Sequence, residues 1–206
     1  FARYAAGGDY NAIDADDLER FKWYGIYRQK PNDGYFMCRI KIPGGQLTAT
    51  KLGEIGRICN QYGRGVGDIT TRQGMQLHWL TIRDVPDVLD RIYNKLGMYQ
   101  EFSCGDAPRN TTSCPLAGEL ADEIVDAGPF ARALADMYRA GGKEFSNLPR
   151  KFKTAVGACR IHCHAPQIND LALFGVERVS NGRMQAGFSL CVGGGLRDTP
   201  HFAQSL

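Results

Sequence analysis

Between Tyr35 and Ile42 the chain alternates: Phe36, Cys38, Ile40 and Ile42 fall on one side, Arg39 and Lys41 on the other. A period of two is the signature of a strand with one face in a core and one face open, so the fold must contain a sheet whose open face carries cations. Pro43-Gly44-Gly45 ends this strand. Thr48 is placed to cap a helix with Leu52, Ile55, Cys59 and Tyr62 as its buried stripe and Gly63 as its stop. Asp68 to His78 reads as a strand pair in which Met75, Leu77 and Trp79 alternate with Gln76 and His78. A further helix runs from Pro86 through Val88, Leu89, Ile92, Tyr93 and Leu96 to Gly97. Residues 33–100 are therefore expected to form a β-α-β-β-α unit, open on one polar face.

The pattern changes near Ser103. Cys104 to Gly118 is rich in Gly, Pro, Asn, Ser and Thr, which marks a loop, and amphipathic helical stretches are expected around Glu119–Asp126 and Pro129–Arg139. Leu148-Pro-Arg-Lys-Phe-Lys-Thr154 reads as a strand, on which Lys151 and Lys153 share a face with their ammonium groups about 7 Å apart. Leu171–Val179 and Arg183–Val192 are two apolar strands joined through Ser180-Asn181-Gly182, where Asn-Gly supplies the positive φ angles of a tight hairpin. Residues 104–206 are thus expected to form a mixed α/β domain, which makes the whole chain α+β.

Composition narrows the partners. With 25 basic and 22 acidic residues in 206, a net charge of +3 is too balanced for a general nucleic-acid surface. No apolar run is long enough to cross a bilayer and no signal-peptide core opens the chain, so a soluble, cytoplasmic protein without a membrane partner is expected. Seven cysteines, an odd number, point to free thiols, metal ligands or core filling, not to a disulfide framework. A start at Phe1 and a stop at Leu206 just beyond a glycine cluster read as the ends of a fragment.

Arg39, Lys41, Arg72, Arg109, Arg150, Lys151 and Lys153 occupy polar strand faces or glycine-rich loops in four separate segments. A polycarboxylate or an oxyanion is the ligand such a set suits, because guanidinium groups hold carboxylates bidentately and clustered cations need an anion. The alternative is ordinary: lysines on a solvated strand edge, and arginines paired with the Asp and Glu of the chain.

Several blocks occur together in a fixed order: Phe21-Lys-Trp-Tyr-Gly-Ile26; Arg39-Ile-Lys-Ile-Pro-Gly-Gly45; Asp68-Ile-Thr-Thr-Arg-Gln73 with Gln76 and His78; Gly105-Asp-Ala-Pro-Arg-Asn110 with Cys114-Pro-Leu-Ala-Gly118; Leu148 to Lys153; Ile168-Asn-Asp-Leu171; and Cys191-Val-Gly-Gly-Gly-Leu196. In order and spacing the chain resembles the N-terminal half of the sirohaem-dependent nitrite and sulfite reductases. The resemblance implies a ferredoxin-like half-domain followed by a sirohaem/4Fe-4S-type α/β domain, the first of two such copies. It also implies a sirohaem, a 4Fe-4S cluster whose cysteines lie mainly in the second copy, ferredoxin or a similar electron donor, and sulfite or nitrite as substrate. By the same resemblance Arg39, Arg109, Lys151 and Lys153 surround the substrate oxyanion, and Arg72, Gln76, His78, Lys41, Asn110 and Arg150 face the cofactor. Lys151-Phe-Lys153 looks like the sulfite-reducing branch, while Gly105 to Gly118 looks closer to the nitrite branch; the balance leans to sulfite. A non-catalytic module that holds a metal or a tetrapyrrole is the competing reading.

Cys159 and Cys163 have C-x3-C spacing and Cys114 precedes Pro-Leu-Ala, both similar to the cluster-ligand motifs of the second copy. A full motif would want a cysteine at position 108, which is Pro108. Three ligands could hold a cluster or zinc if His162, His164 or Cys104 served as the fourth. Cys38, Cys59 and Cys191 sit among apolar neighbours or on a helical stripe and read as core.

Overall fold

A computed structural model describes residues 1–206, and the chain divides into two units: Phe1–Ile42 with Leu47–Gly105, and Pro43–Gln46 with Asp106–Leu206.

The first unit opens with two short helices, α1 (Ala2–Gly7) and α2 (Ala15–Arg20), followed by strands β1 (Ile26–Arg28) and β2 (Phe36–Ile40). Helix α3 (Ala49–Tyr62), strands β3 (Gly67–Ile69) and β4 (Met75–Leu80), and helix α4 (Val85–Asp90), prolonged by a π-helical turn over Arg91–Lys95, complete it. The strands form one antiparallel sheet in the order β1-β2-β4-β3. Along β2 the burial alternates as the sequence demands, with Phe36, Cys38 and Ile40 fully buried. Burial pushes the Cys38 thiol up to about 12, so it is an inert filler of the core. Thr48 Oγ1 accepts the Lys51 N–H at 3.3 Å and caps α3, whose stripe of Ile55, Ile58 and Cys59 covers the sheet's apolar face. Leu52 is not part of that stripe: it is 52% exposed, and the apolar side of α3 begins only at Ile55. Strand β1 and the first two helices are too short to show a periodicity of their own, yet Tyr4, Ile13, Phe21 and Ile26 enter the same core.

The second unit carries β5 (Thr112–Ser113), α5 (Gly128–Gly141), β6 (Thr154–Gly157), β7 (Leu171–Ser180), β8 (Arg183–Val192) and β9 (Gln204–Ser205). These strands form one mixed sheet in sequence order, parallel from β5 to β7 and antiparallel from β7 to β9. Helix α5 buries Ala131, Ala135 and Tyr138, and the Tyr138 hydroxyl lies 2.9 Å from Thr154 Oγ1. The β7–β8 hairpin turns through Asn181 (φ 52°) and Gly182 (φ 71°), both in the left-handed region that a type I′ turn requires.

Two sequence expectations fail in this unit. Leu148–Lys153 is not strand: Phe152 N–H bonds back to Pro149 O at 3.1 Å, with Lys151 at φ 66°, so the segment is a turn and β6 starts only at Thr154. The alternation of Lys151, Phe152 and Lys153 mimicked a strand, but Pro149 offers no N–H to a ladder and the true strand is a continuously buried run without alternation. Glu119–Asp126 is turns instead of helix. Its bonds leave the helical register: the Glu123 carboxylate accepts the Gly118 N–H at 2.7 Å, and the Ile124 N–H donates to Ala158 O at 3.0 Å. No helix of the chain is long and apolar enough to cross a membrane.

Candidate functional site

In the first unit five of the candidate residues lie on strands β2 and β4 or just beyond strand ends. Arg39 on β2 and Gln76 on β4 are direct cross-strand partners. With the Gln76 amide turned so that its oxygen faces the guanidinium, Arg39 Nη2 and Nε donate to it at 3.0 and 3.2 Å; that orientation follows from the hydrogen-bond network. The same guanidinium lies over the Tyr27 ring, 4.8 Å from its centroid. His78, further along β4, has Nε2 3.0 Å from an Asp68 carboxylate oxygen on β3. Lys41 follows β2, is buried, and reaches over the Tyr99 ring at 5.6 Å. Arg72 sits on the β3–β4 turn, closed by Thr70 N–H to Gly74 O at 2.8 Å, with Gln73 at φ 57°.

Arg39 is held from behind by backbone. Its N–H donates to Gly25 O at 2.9 Å, and Gly25 has φ 73° with space so small that a Cβ would meet Gln100 O at 2.8 Å and Arg39 O at 2.9 Å. Only glycine satisfies both demands. Gly25→Ala is expected to cost about 2–3 kcal/mol and to displace Arg39, read as a lower denaturant midpoint in the protein that carries this chain. An unchanged midpoint would contradict the crowding.

In the second unit three loops run side by side into the N-terminal ends of the parallel strands. The loop entering β5 carries Arg109 and Asn110, the loop entering β6 carries Arg150, Lys151 and Lys153, and Asp170 stands just before β7. They are stitched together by backbone bonds: Leu148 N–H to Asp106 O at 2.9 Å, Arg109 N–H to Phe152 O at 2.8 Å, and Leu171 N–H to Lys153 O at 3.1 Å. Asp170 adds a fourth tie by accepting the Lys153 N–H at 2.8 Å. Arg109 and Lys153 are half-buried, Asn110 is buried, and Arg150 and Lys151 are exposed. The fold thus brings Arg109 and Lys153 into one locked frame and leaves Arg150 and Lys151 on its outer turn.

The thiols lie at the other end of the same strands. Cys114 follows β5, Cys159 follows β6, and the turn after Cys159 returns Cys163 to them, so that the three Sγ atoms lie within 4.8 Å of one another. Cys163 Sγ is 3.7 Å from Cys114 Sγ. Burial opposes ionisation of Cys159, but the N–H groups of Ile161 and His162 outweigh it and lower this thiol. Burial, then the Cys114 thiol beside it, pushes Cys163 up to about 11. His164 is buried with no hydrogen-bond partner on either ring nitrogen; burial and then the nearby His162 push it down to about 4, so the ring is neutral near pH 7. It lies against β6 where Gly157 has no Cβ to obstruct it. Strand β6 is four residues long, so about 13 Å of strand separates the thiols from the cationic loops.

Residues 27–95 match the nitrite/sulfite reductase ferredoxin-like half domain, and residues 104–206, half of the chain, match the nitrite and sulphite reductase 4Fe-4S domain. The chain belongs to the nitrite and sulfite reductase family. Among its relatives, the sulfite reductase [ferredoxin] of Mycobacterium tuberculosis strain H37Rv is 36% identical over 98% of this chain and 38% of its own length. The assimilatory ferredoxin-dependent nitrite reductase of Haloferax mediterranei is 35% identical over 96% of this chain and 36% of its own length. The structure of the Mycobacterium tuberculosis NirA protein superposes with a TM-score of 0.82 at 36% identity, covering 98% of this chain and 39% of that one. A dissimilatory sulfite reductase I, at 14% identity and a TM-score of 0.67, shares the fold. The chain spans a little under two fifths of the length of the curated relatives it matches.

Within this chain, sequence reasoning missed the residues that hold the candidate side chains in place. Tyr27 under Arg39, Asp68 beside His78 and Asp170 on the Lys153 amide are such residues. Asp68 and Asp170 lie inside the ordered sequence blocks and carried a signal; Tyr27 lies on a three-residue strand that showed none.

The triad does not suit a four-cysteine cluster. Position 108 is Pro108, and only these three thiols converge. In a cubane each thiolate binds a different iron, which spreads the sulfurs around the outside of the cube; three sulfurs in near contact are too close for that.

Proposed function

We propose that this chain is part of an oxidoreductase that carries out the six-electron reduction of sulfite to sulfide or of nitrite to ammonia, with sirohaem and a 4Fe-4S cluster and with ferredoxin as donor. Sulfite is the preferred substrate in this reading. It is supported by relatives named as ferredoxin-dependent sulfite and nitrite reductases. The observation that carries it is the backbone-locked frame that fixes Arg109 and Lys153 together at the ends of three parallel strands. Positioned cations of this kind serve an anion without reorganising during the reaction.

A tetrapyrrole bearing many carboxylates needs guanidinium, ammonium and amide donors, and the side chains present fit that need. Arg72, Gln76, His78, Lys41, Asn110 and Arg150 are the residues assigned to hold it. The iron centres, when bound, supply the electrons. The cluster's cysteines belong to the part of the relatives' length that this chain does not span. Arg39, Arg109 and Lys153 are assigned to the oxyanion, whose charge they offset, while Lys151, exposed on the outer turn, adds only to the field around it. A lysine ammonium hydrogen-bonded to a departing oxygen passes it one of the two protons that the oxygen needs to leave as water, solvent supplies the other, and the amine regains its proton from solvent. Lysine suits this step better than arginine, which does not release its proton in proteins.

The test is turnover of sulfite and of nitrite by the protein that carries this chain, with a reduced viologen as donor and sirohaem content measured in parallel. Sulfite reduction is expected, and Arg109→Gln is expected to lower it roughly tenfold or more at unchanged sirohaem occupancy. Stoichiometric sirohaem without reduction of either anion would overturn the assignment in favour of a non-catalytic binding module.

A further inference from the structure

The Cys114, Cys159 and Cys163 thiols are not used by the reading above, and core filling accounts for only two of them. Cys114 and Cys159 are 3% and 2% exposed and join the apolar cluster of Ala117, Ala131 and Val156, as cysteines in a core do. Cys163 is exposed, yet its sulfur is turned inward to lie 3.7 Å from Cys114 Sγ. At that separation the pair is not a disulfide, whose sulfurs lie about 2.05 Å apart. The turn that returns Cys163 passes through His162 at φ 55°, a non-glycine residue in the left-handed region, so local conformational preference does not favour the return.

The spacing matches one ligand class. A tetrahedral zinc ion with Zn–S bonds of about 2.3 Å places its sulfurs about 3.8 Å apart, close to the 3.7 Å of Cys114 and Cys163 and within the 4.8 Å that bounds all three. We propose that Cys114, Cys159 and Cys163 form a mononuclear site for a thiophilic divalent cation of the zinc class, with the fourth position open on the exposed Cys163 side. Two ligands come from the carboxyl ends of adjacent parallel strands and the third from the turn that follows, so the ion clamps β5 to β6 and to the 159–165 turn. The site is structural. It stands at the far end of the strands from Arg109 and Lys153 and takes no part in the reduction proposed for them.

The test is metal analysis of the whole protein that carries this chain, purified without added zinc and again after incubation with Zn²⁺ and desalting. About one zinc per chain is expected, with sulfur scatterers at about 2.3 Å in its X-ray absorption spectrum. Cys163→Ser and Cys159→Ser are expected to lower zinc retention at least fivefold while leaving iron content unchanged. Zinc retained equally in both variants, zinc surrounded only by oxygen and nitrogen, or no zinc uptake by the wild type each overturns the proposal. A loss of iron instead of zinc from Cys163→Ser also overturns it and makes the triad a cluster site. If a variant fails to fold, the wild-type spectrum still decides. Because none of these readouts is turnover, sulfur-bound zinc in a protein that reduces neither anion would leave this site standing and remove the proposed reduction.

Discussion

Replacing Lys153 by asparagine in the protein that carries this chain is expected to lower catalytic efficiency with sulfite roughly tenfold to hundredfold, the equivalent of losing one charge-assisted hydrogen bond of about 1.5–3 kcal/mol to a bound anion. Lys153 is fixed on both sides of its backbone, by its N–H to Asp170 at 2.8 Å and by its carbonyl to Leu171 N–H at 3.1 Å, so the substitution should remove the ammonium without moving the chain. Nitrite is expected to suffer less, because it is a monoanion whereas sulfite is often a dianion near neutral pH, and the missing charge costs it less. Lys151→Asn is the comparison. Lys151 is exposed on the turn at φ 66°, a conformation asparagine tolerates, and its effect is expected to stay within about threefold. Sirohaem and iron must be measured in each variant, so that cofactor loss is not read as a substrate effect. Equal losses for the two substrates at full occupancy would remove Lys153 as a discriminating residue.

A larger structural effect is expected from Gly194→Ala. A Cβ at this position would meet Asn169 O at 2.6 Å and Asn169 N at 3.0 Å, and it would also strike Gln167 O. All three are backbone atoms, so no side chain can swing aside. The clash would break the Gly194 N–H to Asn169 O bond of 3.0 Å and push the end of β8 away from the loop that carries Asp170. A cost of about 3 kcal/mol is expected, which in a domain of this size lowers the thermal midpoint by roughly 6–12 °C. Gly193→Ala is a poor control because Gly193 has φ 84°, but Gly187, with nothing near its Cβ direction and no positive φ, is a good one. If the Gly194 and Gly187 variants melted together, the close approach at Asn169 would have no energetic weight.

Much of the first unit could be read from its residues. The period-two run at Phe36–Ile42 and the Thr48-capped helix both report on interactions within a few residues, and burial on one face of a sheet or helix forces that pattern onto the sequence. The Asn181-Gly182 turn was legible for the same local reason, since few residues accept its φ values. The family was legible because ordered blocks of residues persist where single motifs are ambiguous.

The tertiary structure alone decided the rest, wherever one segment's conformation is set by a distant one. Leu148–Lys153 alternates like a strand but is bent by the bonds of Leu148 to Asp106 and of Phe152 to Arg109, some forty residues away, so its lysines do not share a strand face. The Glu119–Asp126 stretch has a helical pattern, yet its Ile124 N–H goes to Ala158 O, on a distant segment. The cysteine spacing allowed a site with several fourth ligands; only the parallel pairing of β5 with β6 shows that three sulfurs meet and how closely. Local pattern encodes which face of an element is buried. Which loops lie side by side depends on strand order, and strand order comes from long-range pairing that no short window of sequence contains.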